Sequence, residues 1–235
     1  MFRKGKDKQA PVDCLIAVLL YCLWIGLLSN AKIDSSGKDI VLILGQLLFG
    51  SALFLLFGTK PDKPSFDAAV LPFFLLPFLN LIVIGFQGAE LGSVQKLVLS
   101  LFSAAGAAFA EEMHFRGYIY DEMDGYRPLT KTLFSSALFG LAHLLNGFSL
   151  ASLIQVGYTF VLGLFLGAIR LSKLGLTGCF LFHFLFNFLM DGLFVYLGGE
   201  ANGLPFYLVN LVGGALLLGY WVYLTIKGKW TKGLV

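Results

Sequence analysis

The fold class this sequence predicts is all-α: a polytopic membrane helix bundle of about eight transmembrane helices, with a buried site in its core. Three observations predict it. Hydrophobic residues make up 57% of the chain and charged ones only 13%, with a mean hydropathy of +0.81, whereas a soluble domain carries about 25% charged residues. Eight apolar runs approach or reach the length of about 17–25 residues that spans a bilayer. Basic residues, finally, gather at alternate ends of those runs.

The runs fall at 12–29, 40–58, 69–86, 97–122, 132–147, 149–171, 175–198 and 205–227. The first follows four basic residues and ends at Ser29-Asn30. The second and third are bounded by Asn30–Asp39 and Thr59–Asp67, and the third and fourth by Gln87–Lys96, segments rich in the Gly, Pro, Asp and Lys punctuation of loops. The fourth is small and greasy until it meets charge at Glu111. The fifth is the shortest and is polar at its tip, so its assignment leans on its neighbours. Small faces at Ser103–Ala108 and Gly163–Gly167 let helix backbones approach closely and are read as packing. No linker is long enough to divide the chain, so residues 1–235 form a single integral-membrane domain. No internal repeat supports a two-fold transporter architecture.

Orientation follows from lysine and arginine. With a cytoplasmic N-terminus, that side receives Arg3, Lys4, Lys6, Lys8, Lys60, Lys63, Arg127, Lys131, Arg170, Lys173, Lys227, Lys229 and Lys232, and the other side only Lys32, Lys38 and Lys96. Both termini are therefore expected in the cytoplasm. The mild basic excess, pI about 8.7, is a topology signal. There is no basic patch with interleaved aromatics, and nucleic acid is not an expected partner. Cys14, Cys22 and Cys179 lie in apolar runs without metal or redox spacing and are read as packing residues.

Against this background the run Glu111-Glu112-Met113-His114-Phe115-Arg116 stands out. An ionisable side chain at membrane depth costs roughly 2.5–3.5 kcal/mol on insertion scales, so it persists where it is paired or functional. On a helix Glu112 and Arg116 are i and i+4 and can neutralise each other. Glu111 is rotated by about 100° and needs another partner or a water. The three histidines of the chain all lie between positions 114 and 183. His143 closes Phe139–His143 in the fifth run, and His183 and Asn187 lie one turn apart in the seventh, with Asp191 a turn further on. A structural ion-pair cluster and packing histidines are the bland alternative.

Depth argues for a site instead. Counted from the expected cytoplasmic ends at about 1.5 Å per residue, Glu111, Glu112, His143, His183 and Asn187 all fall about 12–18 Å below that surface. Three helices thus bring polar groups to one layer, whose mouth should open to the cytoplasm. A carboxylate and an imidazole sharing a water can act as general base and proton shuttle. A second imidazole and an amide can donate to an oxyanion. No cysteine or serine stands in a nucleophile motif, which argues against covalent catalysis.

Glu-Glu-x-x-x-Arg, then Phe-x-x-x-His, then His-x-x-x-Asn, in that order on successive hydrophobic helices, resembles the CPBP family of intramembrane proteases. That family includes the CAAX prenyl endopeptidases and bacterial bacteriocin-immunity and Abi-type members. The match covers about 111–187, within a family core of about 97–198. The resemblance implies an intramembrane endopeptidase acting on a membrane-associated or lipidated peptide. It implies Glu111 as the water-activating carboxylate with His143, Glu112 and Arg116 as a supporting pair, and His183 with Asn187 at the oxyanion. It also implies a membrane-associated peptide or protein substrate beside the lipid bilayer itself, and a bacterial plasma-membrane location. No cofactor is expected, since direct activation of water by glutamate and histidine suffices; the alternative is Zn2+ at Glu111, His143 and His183. The rival function is a non-enzymatic membrane scaffold or bacteriocin-immunity protein of the same fold, which would tolerate loss of Glu111. A proton- or ion-coupled carrier is the third reading.

Overall fold

The structure, a computed structural model, describes residues 9–30, 35–59, 61–87, 90–199 and 204–228. Lys32, Lys60, the basic residues before Gln9 and those after Gly228, all used in the orientation argument, lie outside the described residues. Among the described residues the chain folds as eight helical rods and no strand.

Helix α1 is Ala10–Ser29, opened by a proline in its first turn, where the missing N–H has no intrahelical partner to lose. Helix α2 is Ser35–Leu56. Helix α3 begins as a 3-10 segment, Ala68–Phe78, and becomes α-helical over Leu79–Gln87. Pro72 and Pro77 lie inside that first half and withhold backbone donors, which explains the irregular winding. Asp67 caps it, its Oδ1 accepting from the Ala69 N–H at 3.1 Å.

Helix α4 is Val94–Glu112, widened over Met113–Tyr118 into a π-helix and completed by Ile119–Glu122. Helix α5 is Pro128–Ala142 with a closing 3-10 turn, His143–Asn146, stopped by Gly147 at φ 109. Helix α6 is Leu150–Arg170, capped by Ser149, whose Oγ accepts from the Ser152 N–H. Helix α7 is Gly175–Asn187, then a π-helical Phe188–Leu193 and a last turn Phe194–Tyr196. Helix α8 is Leu204–Ile226. The eight expected runs thus correspond to eight rods, with starts displaced by up to five residues.

Six of the rods are long and apolar enough to cross a membrane: α1, α2, α3, α6, α7 and α8. The protein is an integral membrane protein. Helix α4 carries the buried charges, and the α-helical part of α5 is only 15 residues; neither is among these six. Helix α4 packs against α2 and α7, and α6 against α5 and α7. Leu19, Leu23, Leu55 and Leu216, each at least 60% exposed, lie where lipid chains would cover them.

Of the two small faces, Gly163 and Gly167 behave as expected. A Cβ at Gly163 would overlap Ser136 and one at Gly167 would overlap Thr132 and the Tyr120 hydroxyl, so α5 and α6 meet at backbone distance. The face on α4 divides. Gly106 packs on Gln46 and Ile43 of α2, while Ser103, Ala104 and Ala107 border a cavity.

The end of the bundle nearest Arg170 is tied by one carboxylate. Asp62 Oδ2, in the α2–α3 connection, accepts from Arg170 Nη1 and from the Leu176 N–H, each at 2.8 Å. Thr177 Oγ1 donates to the Asp62 carbonyl at 2.6 Å. Gly175, at φ 57, leaves room for Asp62 where any Cβ would collide.

Candidate active site

Four of the six polar residues singled out from the sequence line one cavity of about 270 Å³: Glu111 from α4, His143 from the end of α5, and His183 and Asn187 from α7. The other two lie beneath it. Glu112 is 1% exposed and Arg116 0%.

The local winding of α4 places these groups. Its π segment is supported by side chains from two neighbouring helices: Ser135 Oγ donates to the Phe115 carbonyl at 2.7 Å and Arg170 Nε to the Arg116 carbonyl at 2.8 Å. Widened turns of this kind often mark functional positions because they re-aim side chains without ending the helix. Glu111 faces the cavity, and Glu112 turns into the core. Arg116 reaches back to Glu112, Nη1 to Oε1 at 3.3 Å. Its guanidinium also lies over the Phe139 ring, 4.4 Å from the centroid, a placement attractive to a desolvated cation.

Glu112 has a second partner that the sequence did not reveal. Its Oε1 lies 2.7 Å from His183 Nδ1, the length of a charge-assisted hydrogen bond. With Nδ1–H donated to Glu112, the other ring nitrogen of His183 points at the cavity and stands 3.6 Å from Glu111 Oε2. Arg116, Glu112, His183 and Glu111 therefore form one chain of alternating charge capacity. With both carboxylates ionised, a protonated His183 brings that chain to zero net charge.

His143 is fixed differently. Its Nδ1–H donates to the Phe139 carbonyl at 2.9 Å, since a carbonyl oxygen can only accept. In the neutral ring this commits Nε2 to accepting. Phe139 is the hinge of the arrangement, edge-on to both imidazoles, with centroids 5.0 Å from His143 and 5.7 Å from His183. Its role as the first residue of Phe-x-x-x-His is thus to hold two histidines and one arginine with a single ring.

Glu111, expected to need a partner other than Arg116, finds it on α1. The Tyr21 hydroxyl donates to Glu111 Oε1 at 3.3 Å. Tyr21 is 5% exposed, stacked on His114 at 5.2 Å and set edge-on to Phe115. Sequence reasoning missed it, because one tyrosine in an apolar span reads as packing. Gln155, Tyr158 and Thr159 of α6 also line the cavity. The amide of Gln155 in an apolar run was the one available signal. His114 is buried and stacked behind Tyr21, and does not itself line this cavity. The side chain of Asp191 lies outside the described residues. Among the described residues, no three His, Cys, Asp or Glu side chains are grouped so as to hold a metal ion.

Residues 93–189 match the model of the Rce1-like family, described as type II CAAX prenyl endopeptidase Rce1-like. The match covers less than half of the chain but contains all six polar residues, and it agrees with the resemblance carried by the three motifs. No curated protein matches this chain, and no solved structure does.

Proposed function

From a chain whose central segment is of the CAAX-protease type, we propose an intramembrane endopeptidase that hydrolyses its substrate with water activated by Glu111 and assisted by histidine. One observation carries the reading: Glu111, His143, His183 and Asn187, contributed by three helices, line a single cavity.

In this mechanism Glu111 takes a proton from a water held between its carboxylate and the accepting Nε2 of His143. The resulting hydroxide attacks the peptide carbonyl carbon. The carbonyl oxygen becomes an oxyanion and receives hydrogen bonds from the Asn187 amide and from His183 Nε2–H, the latter in the imidazolium form that Glu112 supports from behind. Such donors act strongly in a water-poor site because they are already oriented. Collapse of the intermediate breaks the C–N bond, and the proton held by Glu111 passes to the departing nitrogen. Glu112 and Arg116 do not meet the substrate; they position His183.

The experiment compares peptides recovered from membranes containing the wild-type protein and Glu111→Gln. Uncut membrane-associated peptides should accumulate only with the variant. Equal peptide profiles, with the variant folded and inserted, would favour the scaffold or immunity reading.

A further inference from the structure

A second cavity, about 760 Å³, shares Asn187 with the first as a lining residue. It follows α4 from Ser93 to Ala107 and α7 from Asn187 to Tyr196. The fourteen steps from residue 93 to residue 107, at about 1.5 Å each, make it about 21 Å long. Its inner end at Ala107 is one helical turn short of Glu111. Its outer end carries Lys96 and Asp39, and the Gly92 N–H there donates to the Tyr196 carbonyl at 2.7 Å, which fixes that rim.

The lining distinguishes what it could hold. Ser93, Gln95, Ser100, Ser103, Asn187 and Tyr196 place hydrogen-bonding groups along its length. A hydrocarbon chain would leave those groups unused. An extended polypeptide requires them, because its own N–H and C=O groups find no partner in a bilayer. At about 3.3–3.4 Å per residue, about six extended residues fit.

We propose that this groove is a substrate subsite for an extended polypeptide segment, so that the substrate spans both cavities with the scissile bond at Asn187. The proposal rests on the peptidase reading above and deepens it. It selects substrates whose chain continues beyond the cut for about six residues toward the Lys96 side of the membrane.

Ala107→Cys tests it, with 2-sulfonatoethyl methanethiosulfonate, a charged reagent that does not enter lipid, applied in vesicles to the face carrying Lys96. The wild-type protein gives the baseline to subtract, since Cys14 and Cys179 are fully buried and the half-buried Cys22 is common to both proteins. Reaction at position 107 is expected, and the uncut peptide purified from Glu111→Gln membranes should slow it at least tenfold. The adduct should raise KM about tenfold while changing kcat little. Should Ala107→Cys fold poorly, Ser103→Cys serves the same purpose. An unreactive thiol, or one that reacts equally with and without peptide, overturns the subsite. Turnover by Glu111→Gln instead overturns the catalytic reading, whatever the thiol does.

Discussion

Arg116→Met tests the buried charge chain most sharply. The substitution keeps an unbranched side chain of similar length beside Phe139 but deletes the guanidinium that sits 3.3 Å from Glu112. Both partners are shut off from solvent, at 0% and 1% exposure. Removing one member of such a pair typically costs about 3–5 kcal/mol, because a charge is left buried and uncompensated. Here His183 still touches Glu112 at 2.7 Å and can share the burden, so the lower end, about 3 kcal/mol, is expected. For a chain of this size that corresponds to a fall in Tm of about 6–12 °C. Thermal unfolding in detergent measures it. The double variant Arg116→Met with Glu112→Gln removes the stranded charge while keeping an acceptor for His183, and it should recover most of the loss. Equal melting of wild type and Arg116→Met, or no recovery in the double variant, would refute the argument that Arg116 neutralises Glu112.

Asn187→Ala should lower kcat by about 10²–10³-fold with little change in KM, the loss typical of one oxyanion donor; steady-state kinetics on the accumulated peptide reads this. Tyr21→Phe removes a single hydroxyl and its bond to Glu111, and should lower kcat while leaving the melting temperature within about 4 °C, since one exchanged hydrogen bond contributes about 1 kcal/mol. Arg170→Ala frees both the Arg116 carbonyl and Asp62. A loss of about 1–2 kcal/mol is expected in thermal unfolding, kept small because Asp62 is 44% exposed. Reporter fusions should place both termini in the cytoplasm, and an extracytoplasmic C-terminal tag would contradict that orientation.

The rods and the charged layer were legible because membrane solvent imposes simple rules. A run of apolar residues long enough to span must be helical, and charge inside it must find a partner. Glu112 and Arg116 were paired correctly from spacing alone, even though the helix there is π-wound, because the i to i+4 reach survives the widening. The π segment of α4 was not legible, since the bonds that support it come from Ser135 and Arg170 on other helices. The same limit hid the Glu112–His183 contact, which joins residues 71 positions apart. Tyr21 was hidden for a further reason: it lies outside the segment that carries the motifs and has the composition of a packing residue. The small residues of α4 were read as one packing face, but helix rotation divides them between α2 and the outer groove. At α3, the prolines could have signalled irregular winding, yet only its apolar length was used.

The central claim is that Glu111 activates the water that cuts the peptide. Its most direct test is turnover of the accumulated peptide by purified wild-type protein and purified Glu111→Gln, each with and without a zinc chelator. The account predicts cleavage by the wild type in both conditions and none by the variant, with both proteins melting as folded species. Cleavage by Glu111→Gln, or chelator inactivation of the wild type reversed by zinc, would contradict it.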